Sequence, residues 1–359
     1  VNPPQNSVVT DSYGYYSMTV AANANYILVQ PSDPTGNYWF SPANAQFTSI
    51  SANKTGVNFV ANAVTVVYLI HGIGQTGANM DPLKVSLNNT LSNHYRVDDG
   101  FTFGCATACG GACTVTPPQT TLVDRGGLWL GYYIQQQQPP GNIILVGYSL
   151  GGLVARDLIA NDYYNFLTAH PVTALITLGT PNLGYPWSSI DPYIPGMCAQ
   201  MLQDMSGSWG ETASSWYELT SPYLDALRTK WVSASHPPGY WMAAAGEQCP
   251  TTPTPGVGVE RNFPFLSEVG CPAMSNTSDG VVCRDSALYG GSFGPYLNDG
   301  PKPYVPWYDT AHTYVHTHVL GGFGTSGLLC GNTSQNIELF NPDPSGTLFP
   351  YITAVINAH

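Results

Sequence analysis

Ile143-Ile144-Leu145-Val146-Gly147-Tyr148-Ser149-Leu150-Gly151-Gly152-Leu153-Val154-Ala155-Arg156 runs from an apolar stretch, through a serine flanked by glycines, into a second apolar stretch of different period. The first four residues read as a buried strand, and Leu150, Leu153, Val154, Leu158 and Ile159 recur at helical spacing directly after the serine. A serine on a tight strand-to-helix turn is the arrangement of a nucleophile elbow. Glycine suits the flanks because the turn leaves no room for Cβ atoms, and a serine so placed has the next residue's N–H beside it. The bland alternative is an ordinary strand–turn–helix junction, so the partners of Ser149 decide the matter.

Working outward, three more runs share the apolar character: Val64-Thr65-Val66-Val67-Tyr68-Leu69-Ile70, Ala174-Leu175-Ile176-Thr177-Leu178 and Tyr240-Trp241-Met242-Ala243-Ala244-Ala245. Continuous apolar strands alternating with amphipathic stretches predict an α/β domain, a mostly parallel sheet with helices on both faces. It is placed over residues 63–359. Residues 1–62 read differently, with short alternating runs at 15–20, 26–29 and 57–60 separated by Gly, Pro, Asn and Asp, which predict a small all-β module. Residues 185–240 form an insertion between the third and fourth strands, and five of the eight tryptophans fall from Trp187 to Trp241. Those side chains, with Met197, Met201 and Met205, suit a pocket wall or lid and equally suit core filling beneath a helix at 222–231.

The chain has 359 residues, of which 43% are apolar and only 9% charged, against a usual charged share of about 25%. Uncharged polar residues must therefore cover the surface, which suits a secreted protein. Ten basic residues against 22 acidic give a net charge of -12, which argues against nucleic acid or an anionic membrane surface and leaves a neutral substrate. Eight cysteines imply an oxidising compartment and disulfides of open pairing. Cys105, Cys109 and Cys113 could begin a metal cluster, but a fourth ligand at matching distance is missing and disulfides are expected instead. No apolar stretch approaches the roughly 20 residues of a membrane span, and the start at Val1 reads as that of a mature or trimmed extracellular chain. No cofactor or metal is expected, and a monomer is.

The first strand closes in His71-Gly72-Ile73-Gly74-Gln75-Thr76-Gly77. A glycine-rich turn can aim a backbone N–H at a developing oxyanion, and losing one such donor typically costs on the order of 3 kcal/mol of transition-state stabilisation. The N–H groups of Ile73 and Leu150 are the candidates. A plain turn or a phosphate-binding loop are the alternatives, although the Lys-Ser/Thr ending of a P-loop is missing.

His71-Gly72, the run from Gly147 to Arg156 and Leu178-Gly179-Thr180-Pro181-Asn182-Leu183-Gly184 together resemble the successive motifs of secreted α/β-hydrolase lipases and esterases, over about residues 63–320. One departure is Tyr148, where bacterial lipases more often carry His. The resemblance implies an α/β-hydrolase fold, Ser149 as nucleophile, and an acid and then a histidine following in sequence. Asn276-Thr277-Ser278-Asp279-Gly280-Val281-Val282 is similar to the acid-bearing segment, which favours Asp279 over Asp285, Asp299 and Asp309. A turn aspartate before glycine is the competing reading. Ala311-His312-Thr313-Tyr314-Val315-His316-Thr317-His318-Val319-Leu320 offers three histidines where the family has one. His316 is the first choice as base, with His318 and then His312 as alternatives; His316 and His318 could also be a metal pair, for which a third ligand is missing. Tyr38-Trp39-Phe40-Ser41-Pro42 and Thr55-Gly56-Val57-Asn58-Phe59 resemble carboxypeptidase-regulatory-like, prealbumin-type β modules, for which about 60 residues is short.

The expectation is a secreted serine hydrolase that cleaves carboxylic esters of a neutral or lipid substrate, polyesters included, through an acyl-enzyme. An amidase, peptidase or thioesterase on the same scaffold is the alternative, and a non-catalytic binding protein that kept the fold is the alternative of a different class.

Overall fold

The computed structural model describes residues 7–20, 26–48, 50–72, 75–103, 123–183, 221–246, 287–288, 304–307, 313–315, 336–339 and 347–359. The chain divides into two compact units, Val1–Ala63 and Val64–His359.

The first unit contains two antiparallel pairs. Strand β1 (Ile27–Val29) pairs with β3 (Ala45–Phe47), and β2 (Tyr38–Ser41) with β4 (Val60–Ala63). Asp33 closes the turn between β1 and β2. Its carboxylate accepts from the Thr35 hydroxyl and from the N–H groups of Thr35, Asn37 and Tyr38, and the Thr35 hydroxyl above all holds its pKa below the ordinary value. The alternating run at 15–20 is not a strand. Six alternating residues need a partner ladder to become one, and the ties of this stretch are isolated: the Tyr15 N–H donates to Asp11 Oδ1 and the Tyr15 carbonyl accepts from the Asp11 N–H, both at 2.9 Å, and the Tyr16 hydroxyl donates to the Val57 carbonyl at 2.8 Å.

The second unit is built on six parallel strands: β5 (Thr65–Ile70), β6 (Tyr95–Asp98), β7 (Ile143–Tyr148), β8 (Val172–Leu178), β9 (Trp241–Ala244) and β10 (Tyr304–Trp307). Their spatial order is β10-β9-β8-β7-β5-β6. Strands β7 and β9 are buried throughout, as expected for parallel strands covered on both faces. Helix α1 (Asp81–Thr90) starts on an acidic residue with proline in its first two positions, both suited to a helix N-terminus. Helices α2 (Val123–Gln137) and α3 (Leu150–Asn161) follow, then α4 (Ser221–Val232) and α5 (Leu348–Ala358). Leu83 and Leu87 of α1 and Leu348, Phe349, Ile352, Val355 and Ile356 of α5 share one core cluster with Val67, Leu69, Ile144, Val146 and Ile176 of the sheet. Helix α3 packs on β7 and β8 and against both α2 and α4.

The order of strands locates the site. From β5 the chain steps outward to β6 and then returns to lay β7 on the opposite side of β5. At such a reversal the connections leave in opposite directions and open a crevice beyond the carboxyl ends of the two strands, here just after Ile70 and Tyr148.

Candidate active site

Ile70 pairs with Gly147, so the residues leaving β5 and β7 emerge side by side. Ser149 is the sharp turn itself, with φ 52° and ψ -126°, a backbone conformation that costs a non-glycine residue of order 1–3 kcal/mol. Two bonds hold it there: the Ser149 N–H donates to the Leu178 carbonyl at 2.8 Å, and the Gly152 N–H donates to the Ser149 carbonyl at 3.1 Å. The glycine flanks are a matter of space. A Cβ on Gly147 would stand 2.5 Å from the Gly152 Cα, and one on Gly151 would collide with the carbonyls of Ile70 and His71. Ser149 is 7% exposed. Leu150 opens α3, and a first-turn N–H has no carbonyl four residues back to bond, so this donor faces the same crevice end of the helix.

The turn after β5 lies directly against the serine. A Cβ on Gly72 would come within 2.9 Å of the Ser149 Cβ. The Gly72 N–H donates to the Gln75 side-chain oxygen at 3.1 Å, and the Gly77 N–H donates to the Thr102 hydroxyl at 3.0 Å. His71 is fully buried and stacks on Phe103 with centroids 4.5 Å apart. Its Nδ1 lies 2.7 Å from the Gly72 carbonyl, and its Nε2 accepts the Phe103 N–H at 3.0 Å. Burial pushes its pKa down to about 4, so the ring is neutral at ordinary pH. The segment that carries Phe103 is itself anchored. Lys84 Nζ bonds Asp99 Oδ1 at 2.5 Å, while the Tyr133 hydroxyl and the Gly100 N–H donate to Asp98 Oδ1 at 2.7 and 2.9 Å.

Beyond β8, Arg156 is completely buried in α3. Its Nη1 donates to the Asn182 backbone carbonyl at 3.0 Å and to the Asn182 side-chain oxygen at 3.1 Å, and its guanidinium stands 5.2 and 5.5 Å from the ring centroids of Trp231 and Trp241. Asn182 in turn donates from Nδ2 to the Ala287 carbonyl at 2.7 Å. The elbow helix, the segment after β8, helix α4 and residue 287 are thereby joined around one cation.

Of the sequence-derived candidates, Ser149 and Leu150 stand together at the crevice. Ile73, Asp279, His312, His316 and His318 lie outside the described residues, as do all eight cysteines. His316 follows directly on strand β11 (Thr313–Val315), which pairs in parallel with β12 (Asn336–Glu338). The polar partners His71, Asn182 and Arg156 were present in the quoted motifs but carried no assigned role. Burial of an arginine or histidine depends on what faces it across the fold, which a local motif does not display. Among the described residues no group of three or more His, Cys, Asp or Glu side chains is arranged to hold a metal ion, and no helix is long and apolar enough to cross a membrane.

A parallel sheet flanked by helices, with the chain reversing at β5 and β7, a serine elbow after β7 and a glycine turn after β5, is the α/β-hydrolase arrangement. Residues 128–211, which include β7, the elbow, α3 and β8, match the family described as a PGAP1-like alpha/beta domain. No curated protein matches the chain. Solved structures similar to it include a lipase of Bacillus licheniformis, BlEst2, in mature form: 16% identity, 79% of this chain and 90% of that one covered, TM-score 0.44. The lin2722 gene product of Listeria innocua is 19% identical over 68% of this chain and 84% of its own, with a TM-score of 0.40. For the phospholipase PlaB of Legionella pneumophila the figures are 13% identity, 63% and 46% coverage, and a TM-score of 0.39.

Proposed function

We propose that this chain is a secreted serine hydrolase that cleaves carboxylic esters. The observation that carries the reading is Ser149: a non-glycine residue is held at positive φ between β7 and α3, beside an N-terminal helix N–H and against the turn after β5. Strain of that kind persists where the surroundings over-determine it, which fits a nucleophile that must stand out of its strand. The PGAP1-like match across the same segment supports it.

In this mechanism the Ser149 hydroxyl attacks the ester carbonyl while His316, or His318 in its place, takes the hydroxyl proton. Asp279 holds the histidine in the correct tautomer and stabilises the imidazolium. The carbonyl oxygen, now negative, takes hydrogen bonds from the N–H groups of Ile73 and Leu150. Collapse expels the alcohol, protonated by the same histidine, and leaves an ester on Ser149. Water, deprotonated by that histidine, then attacks the acyl-enzyme, releasing a carboxylic acid and the free serine. A lipase-like or broad carboxylesterase range is the substrate class, with polyesters within it. Secretion and disulfides rest on the low charge content and the even cysteine count. The N-terminal unit is assigned to a prealbumin-type β module on its motif resemblance.

A fluorophosphonate probe tests the reading. It should label the wild type at Ser149 and leave Ser149→Ala unlabelled, and the wild type should turn over p-nitrophenyl esters faster than the matching anilides. Failure to label the wild type sinks the enzyme reading in favour of a binding protein, and faster anilide turnover moves the activity to amides.

A further inference from the structure

We propose that the N-terminal unit carries a binding surface for a neutral polysaccharide, built on Tyr13, Tyr15, Tyr26 and Tyr38. The inference goes beyond the serine-hydrolase reading and stands apart from it. Of the twelve large apolar or aromatic side chains exposed among the described residues, eight lie in Val1–Ala63, a unit of 63 residues in a chain of 359. Single exposed side chains are ordinary, but a concentration of this kind points to a partner. Four of the eight are these tyrosines, at 85%, 74%, 57% and 46% exposure.

The unit sorts its rings by chemistry. Trp39, Phe40, Phe47 and Phe59 are all partly covered, and so is Tyr16, whose hydroxyl donates to the Val57 carbonyl. The rings left outside are four that join an apolar face to a hydroxyl tip. A pyranose offers the matching pair, C–H faces and a rim of hydroxyls, whereas a polyester or a lipid surface would draw on phenylalanine, tryptophan and basic residues. Three of the four tyrosines are also held by their backbone. Asp11 Oδ1 accepts the N–H groups of Tyr13 and Tyr15, both at 2.9 Å, and Asp33 Oδ2 accepts that of Tyr38 at 2.9 Å. A tyrosine on a pinned turn has only two side-chain torsions left to order on binding.

Charge decides the class of partner. Residues 1–63 contain Asp11, Asp33 and Lys54 as their only charged side chains, and both carboxylates are engaged in the turns. Residues 64–359 hold 9 basic and 20 acidic side chains, so -11 of the net -12 falls outside this unit. An ionic polymer finds almost nothing to pair with here, and a protein partner finds no charged rim to fix its register. A second copy of the chain meets the repulsion between two net charges of -12. A neutral carbohydrate chain meets none of these obstacles.

The test is retention of the full chain on microcrystalline cellulose and insoluble xylan, with polyhydroxybutyrate granules and phosphatidylcholine vesicles alongside. The wild type should be retained on at least one of the polysaccharides, equally at about 0.05 and about 0.5 M sodium chloride, because a neutral partner leaves no ion pair to screen. Replacing two rings at once, Tyr13→Ala with Tyr15→Ala, should weaken retention on the order of 10-fold or more while the thermal midpoint stays within about 2 °C of wild type. Ser149→Ala should bind as the wild type does, so failure of the hydrolase reading leaves this result intact. No retention on either polysaccharide overturns the inference, as does equal or stronger retention on the granules or vesicles, or retention unchanged in the tyrosine variant. Should that variant fail to fold, elution of the wild type decides: release by soluble oligosaccharides of the same polymer supports the inference, and release by salt, or no release by the oligosaccharides, overturns it.

Discussion

Acidification should weaken the fold through His71 by an amount that the structure sets. Burial holds this imidazole's pKa down to about 4, against 6.5 for the exposed ring of the unfolded chain. Above pH 6.5 the ring is neutral in both states and contributes no pH dependence. Between pH 6.5 and 4 the unfolded chain binds a proton that the folded one refuses, so stability falls with pH at ~1.4 kcal/mol per unit. Below about pH 4 both states are protonated and the loss is complete at about 3 kcal/mol, a large share of a domain's usual 5–15 kcal/mol. The sign is that of a depressed folded pKa: the contribution is whole above 6.5 and disappears as pH falls through 4. The assay is urea unfolding of wild type and His71→Asn in parallel from pH 7.5 to pH 4.5, followed by tryptophan fluorescence. Carboxylates and other histidines titrate alike in both proteins and cancel in the difference. The variant begins less stable, and the gap should narrow as pH falls. A gap constant to within about 0.5 kcal/mol across that range would refute the argument, because His71 would then titrate alike in both states.

Ser149→Gly should abolish probe labelling and ester turnover while raising stability by about 1 kcal/mol in thermal unfolding, since glycine relieves the positive φ at some cost in unfolded-chain entropy. Gly152→Ala drives a Cβ into the Thr180 side chain, where Cβ and Cγ2 both stand 2.8 Å away, and should cost roughly 1–3 kcal/mol in the same melt. Trp231→Ala removes a side chain 1% exposed that packs on Trp241 and Arg156, and chemical denaturation should show a loss of about 3–5 kcal/mol.

The parallel core was legible because strands covered on both faces are apolar without interruption, which is how the runs now seen as β5, β7, β8 and β9 stand out. Strands β6 and β10 lie at the sheet's edges, where Tyr95-Arg96-Val97-Asp98 can carry charge and Tyr304-Val305-Pro306-Trp307 can carry proline, so neither shows that pattern. Gln135–Gln138 reads as a solvated helix end, but the body of helix α2 was hidden by its own packing. Its sequence contains Gly126, Gly127 and Gly131, poor helix formers, because α3 lies so close that Cβ atoms at 126 and 131 would press on Val154 and Leu158 at 2.7 and 3.0 Å. At the site, the elbow and its glycines follow from local sterics and could be read directly. His71 and Arg156 could not, since their roles reside in Phe103, Asn182, Trp231 and Trp241, all distant in sequence.

Helix α5 gives the order of events during synthesis a physical form. Leu348, Phe349, Ile352, Val355 and Ile356 belong to the same cluster as Val67 and Leu69, contributed nearly 280 residues earlier. A nascent chain that has emerged only as far as residue 347 has its strands and α1 but leaves the share of that cluster which α5 covers open to chaperones and to aggregation alike. Core closure therefore waits for the final helix. Stop codons or proteolysis that remove residues 348–358 should leave a product that is captured by quality control and never accumulates as a folded shorter protein.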